Sequence, residues 1–225
     1  MKKALFLLCL LRLTPPVQAQ GKLTLDQVFA NLDSVSKTFQ TAQADIERTH
    51  VTVIVNDKDV SSGKFFYTRV GKEPRVKLEL TKPAGQEQYL LIDKGKIQIY
   101  QPNLKRVQEA SISGHQDQVE MFMALGFGQS SQELTKNFDV SLGGEEVLDG
   151  KKAVILDLVP KNKASFKAVR MWFDPIRWLA LQLKATENSN DYMIFKYSDI
   201  RTNGLKSFGD VFDLKLPKDV KIMKL

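Results

Sequence analysis

Apolar residues recur along this chain with two different periods. Over residues 24–39, Leu25, Val28, Phe29, Leu32, Val35 and Phe39 follow helical spacing, and Thr24 with Gln27 forms a capping box. That predicts an amphipathic helix near the N-terminus. After Gln40 the period falls to two. Val51, Val53 and Val55 alternate with Thr52 and Asn56, and Asn56-Asp57-Lys58-Asp59 makes a turn. Phe65, Tyr67 and Arg69 then share one face, followed by Val76, Leu78 and Leu80, by Leu90 and Ile92, and by Ile97 and Ile99. The breaks Val70-Gly-Lys-Glu-Pro74, Lys82-Pro-Ala-Gly85 and Asp93-Lys-Gly95 set hairpin spacing, so a meandering antiparallel sheet is expected.

The strand pattern lapses from about Asp117 to Phe138. This insert holds the methionine-rich run Glu120-Met-Phe-Met-Ala-Leu-Gly-Phe-Gly128 and a second capping box, Ser130-Ser-Gln-Glu133. One or two short helices, separated by Gly126 and Gly128, are expected there. Alternation returns over 139–142, 145–148, 153–159, 168–173, 178–184 and 192–197, with Gly143-Gly144 and Asp149-Gly150 read as hairpin turns. Phe212, Leu214 and Leu216 would close the sheet before Pro217. The expected architecture is one α+β domain of about eleven strands, with an N-terminal helix and a helical insert.

Such a sheet carries large apolar side chains on one face. Unless it closes into a tight barrel it cannot fill its own concave side, so other elements must cover it. The available covers are the helix, through Phe29, Leu32 and Phe39, and the insert, through Met121, Phe122, Met123, Leu125 and Phe127. The face they would cover presents Phe65, Tyr67, Leu78, Leu80, Leu90, Ile92, Ile97 and Ile99. Whatever the covers leave open would be an apolar cavity, and methionine in a cover adapts to varied shapes.

The first residues change where the domain begins. MKKALFLLCLLRLTPPVQAQ has a basic start (Lys2, Lys3), an apolar run from Ala4 to Leu11 and a small-residue exit at Val17-Gln-Ala19. It reads as a secretory signal peptide over residues 1–19, leaving a domain over 20–225 and a periplasmic location. Cys9, the one cysteine, lies inside the apolar run and lacks small residues just before it, so lipidation is rejected. The mature chain then needs neither disulfide nor thiol. Lys2, Lys3 and Arg12 account for three of the seven net positive charges, leaving +4. The remaining charges are interspersed with acids rather than clustered in a stripe, which excludes a nucleic-acid partner.

Catalytic chemistry is not expected. His50 and His115 are the two histidines, and nothing near them has metal-ligand spacing. No nucleophile elbow, phosphate loop or dinucleotide fingerprint occurs, and no cofactor is implied.

Several segments, in order, resemble the LolA-type periplasmic carriers of outer-membrane lipoproteins, over about Leu23 to Ile222. Gly63-Lys-Phe-Phe-Tyr-Thr-Arg69 is similar to the family's Gly-x-Leu-x-x-x-Arg-Pro strand. Asp93-Lys-Gly-Lys-Ile-Gln-Ile-Tyr-Gln-Pro102 with Leu104-Lys-Arg-Val107 is similar to its Asp-Gly-x-x-x-Trp-x-Tyr-Asp-Pro-x-x-x-Gln-Val segment. Asn203-Gly-Leu through Phe212-Asp-Leu-Lys-Leu-Pro-Lys-Asp-Val220 resembles its closing segment. Three family positions differ: Val70 replaces a proline, Ile97 a tryptophan and Gln101 an aspartate. The resemblance implies an incomplete antiparallel β-barrel closed by a helical lid over an apolar concave face. It implies a monomeric, non-enzymatic carrier of acylated lipoproteins or lipid, loaded by an ATP-driven inner-membrane release complex and unloaded to an outer-membrane acceptor. Arg69 matches an arginine that ties the lid shut, donating to backbone carbonyls of the insert. The alternative is an envelope sensor or scaffold of the same fold that binds lipoprotein or protein partners without transport.

Overall fold

A computed structural model describes residues 23–69, 74–112, 126–161, 166–204 and 209–224. Helix α1 (Leu25–Thr38) opens on the Thr24 capping box and ends at Phe39, whose extended backbone starts the sheet. Its buried stripe is Val28 and Leu32, two positions one helical turn apart that fall on one face.

The strands are β1 (Thr41–Thr52), β2 (Asp57–Thr68), β3 (Arg75–Lys82), β4 (Gln88–Asp93), β5 (Lys96–Gln101), β6 (Arg106–Ser111), β7 (Phe138–Leu148), β8 (Lys151–Pro160), β9 (Phe166–Phe173), β10 (Ala180–Glu187), β11 (Tyr192–Thr202) and β12 (Lys221–Lys224). A second helix, α2 (Ser131–Asn137), starts on the Ser130–Glu133 capping box and leads into β7. All twelve strands form one sheet in the order β12-β6-β5-β4-β3-β2-β1-β11-β10-β9-β8-β7. The β7 and β12 edges do not pair, so the sheet is a half-open barrel.

Four details differ from the sequence reading. Residues 139–148 are one strand rather than two, because the glycine pair is a bulge between Leu142 and Gly144 in the β7–β8 pairing. Gly143 lies where a Cβ would come within 2.6 Å of Ile155 Cγ2, so the glycine allows close approach and not a turn. Val53 and Val55 lie in the turn joining β1 and β2, which comes three residues earlier than the expected Asn56-Asp57-Lys58-Asp59. Phe212, Leu214 and Leu216 form no strand. Phe212 is instead buried beneath Arg75, whose guanidinium carbon sits 4.5 Å from the ring centroid. The closing strand is β12, and it pairs with β6 in parallel, the one parallel pair in the sheet's described strands. Local alternation could not reveal β12, whose four residues are all exposed.

Strand alternation sends Ala42, Ala44, Ile46, Phe65, Val76, Leu78, Leu80, Leu90 and Ile92 to the face on which α1 packs. The other half of the sheet adds Leu156, Leu158, Val169, Met171, Phe173, Leu183, Phe195 and Tyr197 to the same core. Arg48 lies toward one end of this face and bonds Ser61 Oγ at 3.1 Å and Gln88 Oε1 at 3.0 Å. The opposite face carries smaller apolar patches, one of them Ala153, Ile155 and Trp172.

At Gly63 the neighbouring strand β3 leaves no room for a side chain. A Cβ there would lie 1.6 Å from the Glu79 carbonyl oxygen, and the β2–β3 register shifts at this residue. Gly63→Ala should therefore cost about 2–3 kcal/mol of folding free energy. Urea unfolding followed by circular dichroism measures it, and an unchanged midpoint would show that the strands part without penalty.

Candidate functional site

The candidate site is the inner face of the sheet and what covers it. Phe65 and Tyr67 project inward from β2, with side chains two residues apart on one side of the strand. Leu78 and Leu80 of β3 and Leu90 and Ile92 of β4 continue the surface, cross-strand in the pairs Leu78–Leu90 and Val76–Ile92. All six are buried in one cluster with Leu32 and Phe127, and Phe29, Ile97 and Ile99 are partly buried against it. Met121, Phe122 and Leu125 lie outside the described residues.

Phe127 is the centre of the cover. It is 1% exposed and stacks on Phe65 at 5.1 Å between centroids while meeting Tyr197 edge-on at 4.9 Å. Phe39, from the end of α1, joins at 6.3 Å from Phe127 and 5.4 Å from Tyr67. Stacked contacts with separated centroids, like the tilted and edge-on ones, suit the ring quadrupoles and add to the burial itself. The flanking glycines let Phe127 reach this depth. Both have positive φ, and a Cβ on Gly126 would lie 2.4 Å from Ala180 Cβ, one on Gly128 2.0 Å from Phe39 Cδ1. Between α1, this segment, α2 and Trp178 a void of only about 10 Å³ remains, at the lower limit for one water. This part of the inner face is filled by the protein's own side chains.

The Tyr197 hydroxyl is buried in the cluster with no hydrogen-bond partner among the described residues. Burial pushes its phenol pKa well above the ordinary value, because an anion there would have neither water nor cation. Burial also raises the Tyr67 phenol, with the Arg69 charge and hydrogen bond opposing the rise.

Polar contacts hold the cover. Arg69, at the end of β2, donates through Nε to Tyr67 Oη at 3.0 Å and through Nη2 to Glu133 Oε1 at 3.4 Å. Glu133 is held for this by the capping box, since its Oε2 accepts from Ser130 N at 2.7 Å and Ser130 Oγ at 2.9 Å. Among the described residues Arg69 thus meets a carboxylate and a phenol of the site rather than backbone carbonyls. Asp33 of α1 accepts from Ser131 N at 2.6 Å and Ser131 Oγ at 2.8 Å, joining α1 to the first turn of α2. Asn203, just past β11, accepts from Gln40 N at 2.9 Å and donates to Thr38 O at 2.9 Å, fixing the end of α1 to the sheet. Its positive φ is one that asparagine tolerates better than most residues.

The magnitudes rank these contacts. The Arg69–Glu133 pair is 31% and 49% exposed, so it contributes about 0–1 kcal/mol. The Asp33–Ser131 bonds are shorter, part-buried and charge-assisted, worth roughly 1.5–3 kcal/mol. Sequence reading singles out Arg69 and Phe39 and misses Asp33, Tyr197 and the polar role of Asn203. For Asp33 no local signal exists, because its partner lies 98 positions away.

No metal-capable group of three or more His, Cys, Asp or Glu residues occurs among the described residues. His50 Nε2 lies 3.8 Å from Glu187 Oε1, away from the aromatic cluster, and His115 lies outside the described residues. None of the described helices is long and apolar enough to cross a membrane.

An uncharacterized conserved protein from Thermus thermophilus superposes with a TM-score of 0.54 at 14% identity, over 87% of this chain and 98% of its own. A putative outer membrane lipoprotein-sorting protein domain from Vibrio parahaemolyticus, also 14% identical, aligns over 83% of this chain and 95% of its own with a TM-score of 0.47. The MucA/MucB complex of Pseudomonas aeruginosa aligns at 16% identity over 88% of this chain and 62% of the matched chain, with a TM-score of 0.47. At these identities the likeness concerns the fold alone. No curated protein matches the sequence. Residues 37–208, from the last turn of α1 past the end of β11, match the family model for the outer membrane lipoprotein carrier protein LolA. The chain belongs to the LolA family.

Proposed function

We propose that this protein carries the acyl chains of lipoproteins or related lipids against the inner face of its sheet and delivers them towards the outer membrane. The observation that supports this reading is a continuous apolar face, spanning both halves of an unclosed sheet, whose cover is attached at a few polar points. In this reading residues 1–19 are a leader removed on export, residues 20–225 are the working domain, and the location is the periplasm. An inner-membrane release complex would supply the cargo and an outer-membrane acceptor would take it, without catalysis by the carrier.

The energetics suit reversible carriage. A buried acyl chain of a dozen methylenes gains roughly 10 kcal/mol, at about 0.8 kcal/mol each. Loading must first expel Phe127, at about 1.5–3 kcal/mol, and break the Asp33 and Arg69 contacts. The cost of opening therefore lowers affinity without abolishing it, and closure helps to drive release. Tyr197 adds a polar group that an ester carbonyl of the cargo could engage as acceptor, relieving an unpartnered hydroxyl.

A filled inner face is also what a sensor or scaffold would have, and the small void beside Phe127 favours that second reading to this extent. Mass spectrometry of organic extracts from natively purified protein separates the two. Bound or exchangeable lipid is expected; its absence, together with a stable protein partner, would favour the scaffold.

A two-step assay, loading and then release of an acylated peptide, reads the cover. Asp33→Ala should load faster and release at least about tenfold more slowly, and Arg69→Leu should show the same direction with less than about fivefold effect. Normal release by both variants would mean that these contacts do not govern closure. Tyr197→Phe should raise the stability of the empty protein by about 1 kcal/mol, because a buried unpaired hydroxyl is removed. Thermal unfolding measures this, and destabilisation would indicate a hydrogen bond to the hydroxyl in solution.

A further inference from the structure

The turn between β1 and β2 reads Val53-Ile54-Val55-Asn56, where a hairpin usually places polar residues. These three aliphatic side chains are 46%, 88% and 69% exposed. The turn is nevertheless well built. Asn56 N donates to Val53 O at 3.2 Å, Asn56 takes a positive φ, and Asp191 Oδ1 accepts from Val53 N at 2.8 Å. The hairpin also overhangs its neighbour. β3 ends at Lys82 opposite Ser62, so Asp57 to Ser61 pair only with β1 and the tip projects roughly 17 Å beyond β3, at about 3.3 Å per residue. Val60, on the overhang, is 48% exposed as well.

We propose that this tip inserts into the apolar part of a lipid surface. Its shape selects the occupant. Three consecutive turn residues are exposed together at the end of a two-stranded overhang, an arrangement that a fluid apolar phase can surround on all sides whereas a flat protein face would cover only part of it. The charge pattern narrows the choice further. Asp57, Lys58 and Asp59 follow the turn, Glu187 ends β10, and Asp191 lies in the connection to β11. With no cationic excess, attraction to anionic headgroups does not contribute. The tip therefore inserts by hydrophobic burial into zwitterionic lipid, and the flanking charges stop it at the headgroups. For the carrier reading, on which this inference rests only for its purpose, the tip would bring the loaded domain onto a membrane.

The test uses the full mature protein and vesicles of phosphatidylcholine and phosphatidylethanolamine, with and without phosphatidylglycerol. Wild type should cosediment with both kinds, with little dependence on salt. Ile54→Ser and Val55→Ser, at surface positions that leave the fold intact by circular dichroism, should each weaken partitioning by about tenfold. Ile54→Trp should show blue-shifted emission quenched by brominated lipid, read as a difference from the Trp172 and Trp178 background. Failure to bind zwitterionic vesicles, or binding that needs phosphatidylglycerol and survives Ile54→Ser, would overturn the proposal. Loading from a detergent-solubilised acylated peptide is measured in parallel. The tip variants should load normally, and a wild type that binds vesicles but never loads would defeat the carrier reading while leaving the tip's role standing.

Discussion

An unclosed twelve-stranded sheet cannot bury its own inner face, and the rest of this structure answers that constraint. Each inward strand position contributes a side chain that would otherwise face water, at roughly 25 cal/mol for every Å² left exposed. Closing the barrel would remove the problem, but β7 and β12 do not pair. The chain instead covers the face with elements from outside the sheet: α1, the Gly126–Gly128 turn carrying Phe127, and α2. Burial makes these elements pack, and the Asp33–Ser131, Asn203 and Arg69–Glu133 contacts decide where they sit.

This division of labour separates stability from position. The aromatic cluster of Phe39, Phe65, Tyr67, Phe127 and Tyr197 packs the cover onto the sheet. Apolar contact is non-directional, however, and another apolar group of similar volume could replace Phe127 with little loss. A cover held this way is displaceable by hydrocarbon in a manner that an interior strand, with its ladder of backbone bonds, is not. The Tyr197 hydroxyl, unpartnered among the described residues, sits within the aromatic cluster rather than at the end of the face where Arg48 finds its partners.

The outer side of the sheet has a different logic. The segment carrying Phe212 is clamped on β3, where Arg75 lies over the ring and Lys77 Nζ donates to Val211 O at 2.6 Å. It then leads to β12, which covers the β6 edge with only four residues. A short, lysine-bearing strand is a poor template for further pairing, which protects an edge that the open barrel leaves available.

Much of this is legible in the residue pattern. The period of 3.6 over 25–39, the period of two through β2 to β5, and both capping boxes depend on interactions within one or two turns of chain, so local sequence determines them. The inward set Phe65, Tyr67, Leu78, Leu80, Leu90 and Ile92 follows from alternation alone. The glycine pair in β7 misleads because a bulge and a turn require the same residue, and only the position of Ile155 on the neighbouring strand distinguishes them. β12 is invisible to local pattern because its pairing is with a strand over a hundred residues earlier and none of its side chains is buried. The contact of Asp33 with Ser131, the depth of Phe127 and the choice of Glu133 as partner for Arg69 are likewise settled in three dimensions. Each joins residues far apart in sequence, and the energy that selects them exists only once the sheet has curved and brought its cover into place.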